Sequence, residues 1–174
     1  HDVRLGDNII KQVSDAYRKF RNSLRFMLSN VVDFDEANDA VTSWDDLDPI
    51  DQYMMVKTAR LVDDVTAAYD EYAFNSVYRL AYDFINDVSA VYMDVIKDRL
   101  YSEAQNSVRR RAAQTVLMNV IEVLVRILSP ILTFTTDEAW ESYPAAALAR
   151  EGRPESVQLA GWPTREDFVP ALPE

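Results

Sequence analysis

Residues 7–32 read DNIIKQVSDAYRKFRNSLRFMLSNVV, and this stretch decides the fold. Apolar side chains recur in it at steps of three and four residues, the spacing that places them on one face of an α-helix. The stripe predicted to be buried consists of Ile9, Val13, Ala16, Phe20, Leu24, Met27 and Val31. We therefore predict a first helix from about Asp7 to Val32 that packs on a helical core.

The same stretch is basic, although the chain as a whole is acidic. Residues 11–32 carry five cations against one acid, Asp15, whereas the formal net charge of the 174 residues is -11. Residues 33–51 then hold eight acids and no Lys or Arg. A basic helix in so acidic a protein indicates an anionic partner, and a nucleic acid is one candidate. Side chains at the edge of the buried stripe or facing outward from it are Tyr17, Arg18, Arg21, Asn22 and Arg25.

Capping residues predict where a second long helix begins. Asp48 can cap it, Pro49 suits the first helical position, and Asp51 complements the helix dipole. Asn75 is the predicted cap of a third helix, and Ser129-Pro130 ends a fourth. The predicted bounds are 49–73, 76–101 and 106–128, and the predicted core stripes include Tyr72, Val95 and Leu124.

A fifth, short helix is indicated by Thr135 and Glu138, which have capping-box spacing, with Trp140 on the apolar side. Four long helices with short links predict an all-α fold, an antiparallel helical bundle over residues 1–144. Residues 145–174 are predicted to form an irregular C-terminal tail. Because the chain begins with His1 rather than Met, we expect a fragment of a longer protein, whose tail leads to a further C-terminal region.

The residues needed for familiar catalytic chemistry are missing. The chain has no cysteine, and its single histidine is the terminal residue. Glycine-rich phosphate loops and clusters of His or Cys at metal-ligand spacing do not occur. We therefore predict no catalytic residue and no metal ligand. The longest apolar stretch, residues 118–134, is interrupted by Glu122 and Arg126, which argues against a membrane-spanning helix.

A second basic cluster spans the link between the third and fourth helices. It contains Lys97, Arg99, Arg109, Arg110 and Arg111, with Tyr101 among them. Such a cluster can neutralise phosphates while an aromatic ring stacks on an unpaired base. The alternative interpretation is that these arginines make ordinary salt bridges to the acidic segment. The residues by themselves leave both interpretations open.

Four strings resemble, in this order, the isoleucyl-tRNA synthetases, a family of class I aminoacyl-tRNA synthetases. They are VSDAYRKFRNSLRFML at 13–28, IKDRLY at 96–101, LSPILTFTTDEAW at 128–140 and SVQLAGWP at 156–163. DVRL at 2–5 fits the same family, and together the strings cover nearly the whole chain. The part that they resemble is the anticodon-binding domain, which follows the catalytic core.

The resemblance implies a helical bundle that grips the anticodon stem-loop of isoleucine tRNA in the cytoplasm, with neither DNA nor a membrane as partner. ATP and Mg²⁺ would bind to a separate catalytic fold, so this fragment alone would hold no cofactor and catalyse nothing. The implied tRNA-binding residues are Tyr17, Arg21, Asn22, Arg25, Lys97, Arg99 and Tyr101, with Arg18 and Lys19 on phosphates. Alternatives are the valyl, leucyl and methionyl relatives, whose bundles share the fold, and a helical protein-interaction bundle.

Overall fold

The structure, a computed structural model, describes residues 7–174 without the side chains of Asp7 and Ile9. The expectations for His1 and for the burial of Ile9 lie outside the described residues. From residue 7 onward the chain forms helices and no strand, which confirms the predicted all-α class. The helices are α1 (Asp7–Ser29), α2 (Glu36–Asp39), α3 (Pro49–Asp70), α4 (Phe74–Asp87), α5 (Met93–Ser102), α6 (Val108–Leu128), α7 (Thr133–Glu141) and α8 (Ala145–Leu148).

Helix α6 lies at the centre of the bundle. Leu124 is completely buried, as predicted, and α1, α3, α5 and α7 pack around this helix. Gln114 near the start of α6 donates to the backbone oxygen of Asn30 just after α1, so these two helices are antiparallel. Tyr69 near the end of α3 donates to the oxygen of Ile127 near the end of α6, so these two are parallel. The long helices therefore alternate in direction along the chain, which confirms the antiparallel bundle.

The start of α3 is the predicted one. Asp48 and Asp51 form a capping box, and Pro49 occupies the first helical position. The backbone N–H of Asp48 donates to Oδ2 of Asp51 at 3.2 Å. Because free N–H groups at a helix start need acceptors, the two carboxylates fix this start.

Most of the α1 stripe is buried, from Ala16 to Val31. Val13 is 55% exposed and differs from the prediction, because it borders an open groove between α1 and α4. Tyr72 at the end of the second stripe is 82% exposed. Its backbone has φ 57°, the left-handed region in which a helix commonly ends, so the helix stops before this side chain can turn inward.

The third predicted helix differs in its start and in its middle. The helix begins at Phe74, so Ala73 occupies the capping position, and no side chain caps the helix there. The prediction of Asn75 as the cap was wrong. Residues Val88–Tyr92 form a π-helical turn between α4 and α5. Beyond this turn Val95 is 50% exposed, contrary to the predicted stripe, whereas Ile96 is completely buried.

The fifth helix, α7, begins at Thr133, and no side chain caps it, so the capping box predicted at Thr135 does not form. Thr136 lies inside the helix, and its hydroxyl donates to the backbone oxygen of Leu132 at 2.9 Å. Trp140 is buried, as the pattern predicted.

The segment 145–174, predicted to be irregular, contains the short helix α8 and the 3₁₀ turns Val157–Leu159 and Arg165–Asp167, and it lies on the bundle. Asn119 of α6 donates to the oxygen of Val169 and accepts from its N–H, at 2.7 and 3.1 Å. The indole N–H of Trp162 donates to Thr66 of α3 at 2.8 Å, and Phe168 is buried. Across residues 7–174, no helix combines the length and the apolar character that crossing a membrane requires.

Candidate nucleic-acid interface

Three polar side chains form a line on the outer face of α1. Arg18, Asn22 and Arg25 are exposed, and their spacing of four and three residues stacks them along one side of the helix. The Arg18 guanidinium lies 4.0 Å from Asp15 and keeps 73% of its side chain exposed. Among residues 7–174, no carboxylate lies within salt-bridge distance of Arg25. We call these three residues the α1 strip.

Tyr17 and Arg21 flank the α1 strip on the side of α7. The Tyr17 hydroxyl accepts a hydrogen bond of 3.0 Å from Thr135, and the residue remains 40% exposed. Arg21 reaches Glu138 at 3.4 Å, with 42% of its side chain exposed. Both side chains are therefore held at their tips while part of each remains accessible.

Lys19 lies on the opposite flank, toward α4. Its ammonium group is 5.9 Å from the centre of the Tyr82 ring, within the range of a cation–π contact. The side chain is half-buried. Lys19 and Arg21 thus border the α1 strip on its two sides.

Two of the three residues predicted on α5 are exposed. Tyr101 is 68% exposed, and Lys97 pairs with Asp94 one turn away at 3.0 Å with half of its side chain in solvent. Within the described part of the chain, no hydrogen bond or ion pair joins these two side chains to α1. They form a separate surface, which we call the α5 face.

Arg99 is the exception among the predicted residues, because the structure places it in the interior. It is 3% exposed, and its guanidinium contacts both carboxylate oxygens of Asp51 at 3.0 and 2.8 Å. Asp48 accepts a third bond at 2.9 Å. Burial lowers the pKa of Arg99 and is the largest single effect, but the hydrogen bonds to Asp51 and the nearby negative charges together raise the pKa above its usual value. Arg99 is thus turned away from the surface that an RNA could reach.

The other arginines of the second basic cluster are paired. Arg110 donates to both carboxylate oxygens of Asp33 at 2.9 and 3.1 Å, and Arg111 pairs with Asp33 and Asp39. The hydrogen bonds from Arg110 lower the pKa of Asp33 most strongly, and those from Gln114 lower it further, against the effect of burial. Arg109 pairs with Asp48 and Glu103. The salt-bridge interpretation therefore holds for these three arginines.

A groove between α1 and α7 was missed by the sequence analysis. It has a volume of about 400 Å³, with Arg21 and Arg25 on its rim and buried Leu24 and Leu28 in its floor. Glu138 of α7 lies on the far wall. The sequence pattern predicts a capping box of Thr135 and Glu138. The contact between Glu138 and Arg21 arises only because α7 packs on α1.

The comparisons with known proteins bear on this arrangement. A model of the family described as the anticodon-binding domain of tRNA ligase matches residues 51–173, well over half of the chain. The chain belongs to this family. The matched residues include the α5 face and the buried Arg99, and the match begins after α1.

Curated relatives extend the similarity beyond that match. The chain is 49% identical over 163 residues to the isoleucine–tRNA ligase of Moorella thermoacetica, 46% over 163 residues to that of Desulforudis audaxviator, and 43% over 170 residues to that of Natranaerobius thermophilus. These alignments cover 93%, 93% and 97% of this chain. Because each of these alignments leaves out at most 11 of the 174 residues, each one includes most of α1. The chain spans only 17 to 18% of the length of these relatives.

Proposed function

We propose that this anticodon-binding domain holds the anticodon stem-loop of isoleucine tRNA through the α1 strip and the α5 face. The observation that carries the proposal is the α1 strip itself. In a chain with a net charge of -11, Arg25 is exposed with no carboxylate within salt-bridge distance among residues 7–174, and Arg18 keeps 73% of its side chain exposed at 4.0 Å from Asp15. Arg110 and Arg111, in contrast, are largely buried against Asp33. Cations that remain available in an acidic protein favour a polyanionic partner.

The side chains beside these cations suit a single-stranded loop. Tyr17 and Tyr101 expose part of their rings, and unpaired bases of an RNA loop can stack on such rings. Asn22 can read a base edge, because its amide both donates and accepts. We assign Arg18 and Lys19 to phosphates and Arg21 and Arg25 to positions nearer the bases. Arg99 supports the α5 face from inside and is not assigned a direct RNA contact.

In this proposal the intact parent is an isoleucine–tRNA ligase of the cytoplasm, which forms isoleucyl adenylate from ATP and transfers the amino acid to tRNA. The names of the relatives favour isoleucine over valine, leucine and methionine. No group of three His, Asp or Glu side chains within residues 7–174 is placed to hold a metal. Because the relatives are tRNA ligases and this chain spans only 17 to 18% of their length, we assign ATP and Mg²⁺ to a catalytic domain outside this chain.

A salt-titrated binding assay tests the proposal. The chain is titrated with isoleucine tRNA and with a variant that carries a valine anticodon, at several salt concentrations. We expect affinity to fall steeply as salt rises, since bound cations release counterions from the phosphates, and we expect the isoleucine anticodon to bind more tightly. Absence of tRNA binding at low salt would refute the proposal and would favour a protein partner for this surface.

Single variants separate the two kinds of contact. Lys19→Ala should weaken binding to both tRNAs alike and reduce the salt slope by about one unit. Arg21→Ala should also narrow the difference between the two anticodons. A reversed pattern would show that the two roles are assigned backwards.

A further inference from the structure

The helix that carries the α5 face is not a continuous α-helix. The five residues Val88–Tyr92 form a π-helical turn, which contains one residue more than an α-helical turn. Because each residue of an α-helix turns the chain by about 100°, the extra residue rotates everything after it by about that angle. The exposed Val95 and the buried Ile96 record this rotation.

A buried polar cluster holds the rotated segment in place. The Tyr92 hydroxyl donates to Oδ1 of Asp51 at 2.7 Å, and Arg99 donates to both oxygens of the same carboxylate. All three residues are at most 3% exposed. Burial raises the pKa of Tyr92 well above the usual value, and the Asp51 charge raises it further, so the hydroxyl stays a donor. We call Asp51, Tyr92 and Arg99 the latch.

The geometry of the latch fixes α5 about its own axis. Tyr92 and Arg99 are seven residues apart, about two turns, so both project from the same side of the helix toward the start of α3. Lys97 and Tyr101 are each two residues from Arg99 in opposite directions along the chain. Each therefore lies about 160° around the axis from Arg99. With Arg99 held on Asp51, the α5 face must point outward.

We infer that the π turn and the latch position the α5 face for RNA, with Asp51, Tyr92 and Arg99 as positioning residues. This inference rests on the proposed function. Well-packed apolar residues in place of a buried ion pair are often at least as stable, so stability gives little reason to bury Arg99 and Asp51. Directed hydrogen bonds, in contrast, permit one rotation of α5, whereas apolar packing tolerates several.

The test is a mutant cycle that uses isoleucine tRNA as the probe. Tyr92→Phe removes one hydroxyl of the latch and keeps the ring in the core. We expect tRNA affinity to fall about 3- to 10-fold, less than the full effect of losing one hydrogen bond to a charged group, because the two bonds from Arg99 to Asp51 remain. In a background that carries both Lys97→Ala and Tyr101→Ala the same change should cost less than about twofold, because both side chains of the α5 face that the latch orients are already gone. Tyr143→Phe is the matched control, since Tyr143 is also buried and its hydroxyl has no partner among residues 7–174.

Equal losses from Tyr92→Phe in both backgrounds, or no loss in either, would overturn the inference while leaving the proposed function intact. An unaltered chain that fails to bind tRNA would instead refute the proposed function, and the inference with it. Deletion of the exposed Ala90 is a second variant, which should restore a continuous α-helix and rotate the α5 face. If that variant folds with helical content unchanged and binds tRNA as tightly as the unaltered chain, the inference is wrong.

Discussion

Arg25 and Arg165 are both exposed arginines, yet their surroundings differ. Arg165 contacts Asp63 at 2.6 Å, whereas no carboxylate from residue 7 onward pairs with Arg25. We predict that Arg25→Ala weakens tRNA binding by about 1 to 3 kcal/mol, the range for a lost charge-assisted contact. Arg165→Ala should change it little, as the fluorescence anisotropy of labelled tRNA at fixed salt would show. Equal losses at the two positions would mean that only overall charge matters.

The buried position of Arg99 changes what its replacement should do. Arg99→Ala leaves the Asp51 carboxylate in the interior without its charged partner, which should lower the free energy of unfolding by about 3 to 5 kcal/mol. Arg109, whose side chain is 60% exposed, is the control. Arg109→Ala should cost no more than about 1 kcal/mol, because exposed ion pairs contribute little. Urea denaturation measures the free energy of unfolding of both variants. Equal losses for the two would contradict the pairing of Arg99 with Asp51 in the interior.

Among the helices, α6 carries the largest share of the core. Leu124 is completely buried there, whereas Leu159 in the irregular segment is 72% exposed. We expect Leu124→Ala to lower the free energy of unfolding by about 2 to 5 kcal/mol through lost burial and the cavity that remains. Leu159→Ala should leave the denaturation midpoint almost unchanged. A Leu124 variant as stable as the unaltered chain would contradict the central position of α6.

Asp33 joins the end of α1 to the start of α6 and should make this junction sensitive to acid. Its pKa is lowered chiefly by Arg110, so its stabilising effect is complete above the ordinary aspartate pKa of about 4 and disappears as the pH falls through the lower folded-state pKa. The melting temperature of the unaltered chain should therefore drop more between about pH 5 and pH 2 than that of Asp33→Asn. If the melting temperatures of the two proteins fall by the same amount over this pH range, the pairing of Asp33 contributes nothing to stability.

The periodicity of the sequence was enough to predict the long helices, because one apolar face per helix leaves little freedom in a bundle. The π turn at Val88–Tyr92 escaped prediction, since an apolar stripe shows where side chains should point and an extra residue only shifts its phase. The burial of Arg99 was equally out of reach. It depends on Asp51, 48 positions away in sequence, and no local pattern identifies that partner.

The candidate surface was predicted better on α1 than on α5. Tyr17, Arg18 and Arg25 are exposed as the spacing indicated, because the outer face of a helix follows from its buried stripe. Which basic residues remain unpaired depends on tertiary contacts. Arg110 and Arg111 turned out to be bound by Asp33, which precedes them by more than 70 residues.

Considered as a whole molecule, the chain should bind tRNA without activating an amino acid. Its single histidine is residue 1, the chain has no cysteine, and no glycine-rich phosphate loop occurs in the 174 residues. We expect no isoleucine-dependent exchange of pyrophosphate into ATP by the purified chain, with a complete isoleucine–tRNA ligase as the positive control. Turnover above the level without isoleucine would overturn the assignment of catalysis to another domain.

The acidic remainder of the molecule also affects how an encounter with RNA proceeds. If the proposed surface binds RNA, a strip of cations on one helix of a chain with a net charge of -11 should rotate an approaching polyanion toward the strip, because the acidic remainder repels it. The carboxylates would thus lower the frequency of encounters and raise the share of encounters in which the RNA meets the cationic strip. Raising the ionic strength shortens the Debye length and should weaken both the repulsion and this torque, so a larger share of encounters should then be misaligned, even for RNA that fits the surface.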